Sequence, residues 1–284
     1  MTDRLVRILV CLHAALILCS SLPGLARQQA AALSTPDDIA ADFKEVPCKH
    51  NQRLESVRAQ FIRMGATTSD ITTQKLTDAQ NMIVKAPGLT EDIIIIGAHY
   101  DFVDLGCGAI DNWTGIVAMS RVYKSIRALE QKKTVLFVAF DNEEQGLLGA
   151  RAMANAIKKE DLPRYCAMIN LDSFGMSKPF AMSNTSSPSL MTAASDAASA
   201  FGLAFDKAPI DNADADSSAF LSRKIPAITL AGVSTNWASI LHSTSDQKEK
   251  IDARAVYLGY RLALALWSQV DQAPCDAFRE RPAK

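Results

Sequence analysis

The chain has 284 residues, 48% of them hydrophobic, and 30 basic against 31 acidic side chains give a formal net charge of −1. That length and apolar content suffice for a full core, while in a chain of balanced charge neither a basic face for nucleic acid nor a long acidic tail stands out. No repeat, low-complexity tract or Pro/Gly-rich linker divides the sequence, so one domain is the economical reading.

At the start, Arg4 and Arg7 precede an apolar run over residues 8–18, and Gly24-Leu25-Ala26 then offers small residues at signal-peptidase spacing. The reading is a signal peptide over residues 1–26 and a single domain over residues 27–284, hence a secreted or periplasmic protein. The apolar run is shorter than the ~20 residues that span a bilayer and is broken by His13, so no stable membrane anchor is expected. Lipid attachment at Cys19 is disfavoured because Leu18, rather than a small residue, precedes it. Removal of the segment takes Cys11 and Cys19 with it. Cys48, Cys107, Cys166 and Cys275 then stand in a compartment where disulfides persist. Of the pairings open to them, Cys48 with Cys275 would tie the two ends of the chain together; four free thiols is the alternative. Cys107, between two glycines just before Asp111, is read as structural and left out of the site.

Residues 34–46 read as loosely structured. Leu54, Val57, Phe61, Ile62 and Met64 then keep a helical spacing that stops at Gly65. Beyond them, strand-like runs at residues 81–85, 93–98, 134–140, 167–171 and 227–230 alternate with helical stretches at residues 115–129, 147–159, 187–201, 217–222 and 253–270. The continuous β-branched run at residues 93–96 indicates strands buried on both faces. The fold class is therefore α/β, with a mixed, largely parallel central sheet and helices on both faces.

Acid and imidazole side chains stand just after these apolar runs. They are His99 and Asp101 in GAHYD, Asp111 in GAIDN, Glu143 and Glu144 in DNEEQGLLG, Asp172 in INLDSFG, and His242 in LHSTSD. In an open α/β sheet, ligands collect outside the carboxyl ends of the strands. Taken singly, a strand-end Asp is a turn or cap residue and paired glutamates are a solvated helix start. Seven such side chains in order are different. Groups this costly to desolvate need partners, and the simplest common partner is a pair of zinc ions.

The succession GAHYD, GAIDN, DNEEQGLLG, INLDSFG, DADSSAF…IPAI and LHSTSD resembles the co-catalytic di-zinc aminopeptidases, the family of bacterial leucyl aminopeptidases and plasma glutamate carboxypeptidase, from about residue 81 onward. The resemblance implies that His99 and Asp172 bind one zinc, that Glu144 and His242 bind the other, and that Asp111 bridges the two. It makes Glu143 the general acid/base and Asp101 the carboxylate that orients His99. The chemistry agrees with these roles. Zinc accepts imidazole nitrogen and carboxylate oxygen at ~2.0–2.2 Å and in catalytic sites keeps a position open. Two ions sharing a carboxylate would lie ~3.5–4 Å apart, close enough to share a hydroxide. A ligating carboxylate is a poor proton shuttle, so adjacent Glu144 and Glu143 can divide binding and proton transfer. Asp101 can accept the other ring N–H of His99.

Weaker elements complete the resemblance. Ser217 stands where the family commonly has histidine, which puts an active-site role there in doubt. Asp214 and Asp216 are read either as site support or, for Asp216, as a helix cap. Trp113 is read as pocket wall or packing, Asp246 as a structural holder of the His242 loop, and Pro226 as a strand start. Met182, Trp237 and Ile240 are pocket candidates by position. The implied function is a secreted zinc-dependent exopeptidase, an aminopeptidase with two zincs per chain acting on peptide or small-protein N-termini, with no nucleic-acid partner. Two rivals stand beside it. One is a glutaminyl-cyclase-like mono-zinc acyltransferase, which could dispense with some of the five ligands; the other is a non-catalytic binding module, which would have lost them.

Overall fold

The central sheet is assembled from runs in which successive residues face opposite sides. In the computed structural model, which describes residues 31–77 and 79–280, eight strands pair in one sheet: β1 (Ile71–Lys75), β2 (Gln80–Ala86), β3 (Thr90–His99), β4 (Lys133–Phe140), β5 (Tyr165–Asp172), β6 (Phe180–Met182), β7 (Asp206–Ala208) and β8 (Ala227–Ala231). The signal-peptide reading over residues 1–26 lies outside the described residues. The strand order is β1-β2-β4-β3-β5-β8-β6-β7. Strands β4, β3, β5 and β8 are mutually parallel, β6 and β7 also run parallel, and the contacts β1–β2, β2–β4 and β6–β8 are antiparallel.

Both faces of the sheet are covered. Ile94, Ile96, Val135, Phe137, Ala167 and Ile169 face one apolar layer, while the alternating Ile95, Val138, Phe140 and Met168 face another. The first layer receives α1 (Pro36–Asp42), α2 (His50–Arg63), α3 (Thr114–Ile126), α5 (Pro188–Ala200) and α7 (Ala253–Gln272); the second receives α4 (Leu148–Ala156) and α6 (Ser217–Leu221). Ile94, Ile95 and Ile96 are each fully buried, worth about 1.5–3 kcal/mol apiece before entropy is charged. At Gly97 a side chain would strike the Phe140 ring, so the centre of β3 admits only glycine. Among the described residues no helix is long and apolar enough to cross a membrane.

Three expectations are corrected. Residues 34–46 are not loose: Thr35 and Asp38 form a reciprocal capping box, Pro36 occupies the first turn, and together they nucleate α1. In α2 the buried positions are Arg53, Val57, Gln60 and Phe61, whereas Ile62 is exposed. Gln60 is retained inside because its amide donates to Ser120 Oγ at 2.9 Å. The cysteines pair as Cys48–Cys107 and Cys166–Cys275, not Cys48 with Cys275 and not as free thiols. The sheet is the reason: it carries Cys166 at the amino end of β5 to the segment that follows α7, and sets the segment before α2 beside the loop that follows β3.

Candidate metal centre

His99 is the last residue of β3 and Asp172 the last of β5, while Glu143 and Glu144 follow the end of β4. These strands are adjacent and parallel, so all four side chains meet at one edge of the sheet. Asp111 enters from the turn that precedes α3 and His242 from the loop after β8. The Asp111 carboxylate stands between the two imidazoles: Oδ1 lies 3.1 Å from His99 Nε2, and Oδ2 lies 3.1 Å from His242 Nε2. Asp172 Oδ1 is 3.7 Å from the same His99 nitrogen, and Glu144 Oε2 is 3.0 Å from His242 Nε2. The five side chains expected as ligands are therefore brought together at this edge, Asp172 on the side of His99 and Glu144 on the side of His242.

This crowding shifts both imidazoles and three of the carboxylates. Burial works against a charged His99, but Glu143 and the carboxylates of Asp101, Asp111 and Asp172 outweigh it and raise the ring well above the ordinary histidine range. Hydrogen bonds to Asp111 and Glu144 push His242 up to about 10. Burial would raise Asp111, yet hydrogen bonds from His242 and His99 hold it below the usual carboxylate range. Glu143 goes the other way: burial, reinforced by Asp216, Asp172 and Glu144, drives it well up against the pull of His99. Glu144 is also raised, first by burial and then by Asp111.

The supporting contacts are largely to backbone. Asp101 Oδ1 accepts from Glu143 N at 3.0 Å and Oδ2 from Glu144 N at 3.1 Å, so one carboxylate fixes the turn that presents both glutamates. Its Oδ1 also lies 3.5 Å from His99 Nδ1. Asp246 holds Asp111: its oxygens accept from Ile110 N at 2.6 Å and Asp111 N at 3.1 Å, and its carbonyl accepts from Cys107 N at 2.9 Å. Asp246 thus ties the Asp111 loop to the His242 loop. Asn112 links the same turn to the end of β5 by donating to Leu171 O at 2.9 Å and accepting from Ser173 N at 3.1 Å. Beneath it the fully buried Arg53 donates to the carbonyls of Cys107 and Gly108 and lies over the rings of Phe102 and Trp113. Left-handed backbone is concentrated here. Asn142, Leu147, Ser173 and His242 all have φ between 54° and 61°, a conformation that non-glycine residues adopt only when surroundings enforce it.

A cavity of about 330 Å³ opens beside the cluster, lined by His99, Asp111, Glu143, Glu144, Asp172 and His242 on one side. Met182, Ile210, Val233, Trp237 and Leu241 form an apolar wall on another. Met182 and Trp237 are thus where the sequence put them, whereas Ile240 packs in the apolar cluster behind the wall with Val233 and Leu241. Trp113 is a packing residue under α2, 2% exposed, and does not line this cavity. Ser217 is turned away from the centre, donating to Thr185 O at 2.8 Å with its hydroxyl 2.6 Å from that of Thr229. Asp216 is not a side-chain cap of α6. Both its carboxylate oxygens are buried without a hydrogen-bond partner among the described residues. Burial raises it well above the carboxylate range, against the pull of His99. The sequence signals for Asn112 and Arg53 were absent: one is a polar residue in a loop, the other a cation on a helix.

The donor set fits zinc. It is composed of imidazole nitrogen and carboxylate oxygen, and His99, Asp111 and Glu144 offer atoms that all lie within 4.8 Å of one another. Glu144 Oε1 is buried with no hydrogen-bond partner among the described residues, as a ligand oxygen would be. Among the described residues the two imidazoles are the groups in ion-pair contact with these acids, and a divalent cation would neutralise the carboxylates with the imidazoles neutral.

Comparison with known proteins follows the same outline. The aminopeptidase YwaD of Bacillus subtilis is 34% identical over 102 residues, 35% of this chain but 22% of that protein's length. The crystal structure of BSAP, a zinc aminopeptidase from Bacillus subtilis, superposes with a TM-score of 0.61 at 22% identity, covering 71% of this chain and 53% of that one. The glutaminyl cyclase of an Acidobacteriales bacterium superposes with a TM-score of 0.71 at 18% identity, covering 86% and 97%. At such identities these likenesses establish the fold. Peptidase family M28 matches residues 81–266, a stretch that runs from the second strand into the last helix and takes in every member of the acid–imidazole cluster, and the chain belongs to that family.

Proposed function

We propose that the chain is a zinc-dependent exopeptidase, an aminopeptidase that hydrolyses the first peptide bond of peptides or small proteins. The observation that carries this reading is Asp111, whose two oxygens face two separate imidazoles. The donors thereby divide into His99 with Asp172 and Glu144 with His242, Asp111 being common to both, a set for two zinc ions. Bound there, zinc would supply Lewis-acid activation of water and of the scissile carbonyl. Glu143, raised by burial and not paired to either imidazole, takes a proton from the attacking water and returns it to the leaving amine. Asp101 keeps Glu143 and Glu144 in their separate orientations through the two backbone N–H groups. The apolar wall of Met182, Val233, Trp237 and Leu241 suits an apolar first side chain. Two disulfides support a place outside the cytoplasm.

The test is zinc stoichiometry on the purified chain, by elemental analysis after dialysis against metal-free buffer and zinc titration, together with turnover of leucyl peptides. About two zincs per chain with release of leucine is the expected result. One zinc with cyclisation of N-terminal glutamine would replace the proposal with the cyclase reading, and no zinc at any concentration would leave a binding module.

A further inference from the structure

We propose that a second, smaller cavity between α4 and α6 is the subsite for the leaving part of the substrate, and that Arg151 receives a carboxylate there. This rests on the exopeptidase reading. The cavity measures about 190 Å³ and is lined by Leu147, Arg151, Asn155, Ser218, Ala219 and Ser222. Leu147 and Arg151 also line the cavity of the metal centre, so the two spaces adjoin along a shared wall. A volume this small is a side compartment of a site, below the range of independent ligand pockets.

Its position identifies the part of the substrate it takes. The residue that protonates the leaving nitrogen must stand on the leaving side of the scissile bond. That residue is Glu143, and the chain runs from it through Leu147 directly into α4, whose first turn carries Arg151. The apolar wall lies elsewhere around the main cavity, on residues from the β8–α7 loop and β6, and suits the first side chain. Leu147, Arg151 and Asn155 succeed each other at four-residue spacing and so share one face of the helix; Ser218 and Ser222 do the same on α6. Asn155 is steadied by Arg223, whose Nη1 donates to its carbonyl at 3.2 Å.

The charge is the second argument. The main cavity is lined by five carboxylates, Asp111, Glu143, Glu144, Asp172 and Asp214, and Arg151 is the permanent cation among its lining residues. None of these acids pairs with it: among the described residues no ion pair or hydrogen bond holds the guanidinium of Arg151, an exposed residue at the mouth of the cavity. A guanidinium left open in this way matches a carboxylate with two parallel hydrogen bonds. The carboxylate is either the free C-terminus of a dipeptide or the acidic side chain of a second residue.

The zinc-loaded chain is assayed on Leu-Ala, Leu-Ala amide, Leu-Glu amide and Leu-Gln amide, as wild type, Arg151→Gln and Arg151→Lys. Wild type is expected to favour a carboxylate-bearing member of a pair by about tenfold in kcat/KM. The ratio should collapse to near one in Arg151→Gln and recover in part in Arg151→Lys. A preference within the Leu-Ala pair identifies the C-terminal carboxylate; one within the Glu/Gln pair identifies the side chain. Equal ratios in wild type and Arg151→Gln overturn the subsite while leaving the exopeptidase reading intact. If none of the four is cleaved, that reading fails on its own. Calorimetry with the N-methylated peptide Leu-N-methyl-Ala and its amide then decides the subsite: tighter binding of the acid by wild type alone supports it, and equal binding removes it.

Discussion

The two imidazoles of the centre are held in opposite ways. His99 ends a strand flanked on both sides by parallel neighbours, and its side chain is 1% exposed; His242 sits in a loop with φ of 55°, its side chain 51% exposed. Asp172 belongs with the first and is likewise a strand end. One half of the donor set therefore forms when the sheet forms, because the hydrogen-bond ladder fixes where β3 and β5 stop. The other half depends on loops, and Asp246 is what joins them. By placing its carboxylate on the backbone of Ile110 and Asp111 four residues after His242, it makes the position of one loop a condition for the position of the other.

The sharpest way to break this division is at the residue both halves share. Asp111→Asn keeps the volume and removes the charge between the imidazoles. We expect loss of both zincs, seen by elemental analysis, and loss of turnover to background. Retention of either metal at wild-type affinity would mean that the halves do not depend on Asp111. Glu143→Gln comes next. It should keep both zincs and lower kcat by about 10²–10⁴, and near-normal kcat would remove Glu143 as the proton carrier.

Stability separates the two histidines. His99→Ala leaves a hole at a fully buried strand end among carboxylates that have lost their partner, so both zinc content and the thermal midpoint should fall, by about 1–3 kcal/mol in stability. His242→Ala removes a half-exposed loop side chain. It should cost one zinc and activity while moving the metal-free thermal midpoint little. Equal losses in the metal-free proteins would show that the loop half is as much a part of the folded core as the strand half.

The same contrast decides what could be read from the sequence. Strands β2, β3, β4, β5 and β8 were legible because each is an apolar run, and the strand-end acids followed from where those runs stop. Strands β1, β6 and β7 were not expected. β1 is largely polar, and β7 reads Asp206-Lys207-Ala208 with both charges exposed, so neither advertises a buried face; β6 is three residues long. The acid–imidazole cluster was legible as a set of side chains, with Asp101 and Asp246 as its supports, whereas the backbone groups that those supports and Asn112 bind were not. Asp101, Asp246 and Asn112 bind backbone groups of residues distant in sequence, and nothing in a side-chain pattern marks a backbone partner. Arg53 was hidden for a related reason. A cation among helical apolar positions reads as a solvated face, yet its partners are the Cys107 and Gly108 carbonyls and two aromatic rings. Disulfide pairing was unreadable until the sheet order was known.

The smallest expected effect concerns those disulfides, which fall on opposite sides of the comparison. Cys166–Cys275 ties the amino end of β5 to the segment beyond α7, away from the metal edge; Cys48–Cys107 ties the segment before α2 to the Asp111 loop. Their sequence separations are 59 for Cys48–Cys107 and 109 for Cys166–Cys275. Loop closure then bounds their contributions at about 4 and 5 kcal/mol, too close for a thermal midpoint to tell them apart. Zinc affinity does tell them apart. Cys107 stands four residues before Asp111, and its removal from the bridge frees one restraint on that loop, others being Arg53, Asp246 and Asn112. The double variant Cys48→Ser with Cys107→Ser should therefore weaken zinc binding several-fold in a competition titration, while Cys166→Ser with Cys275→Ser should leave it unchanged. Equal zinc affinity in the two double variants would assign the loop to Arg53, Asp246 and Asn112, and the bridge beside the metal centre would then serve stability alone.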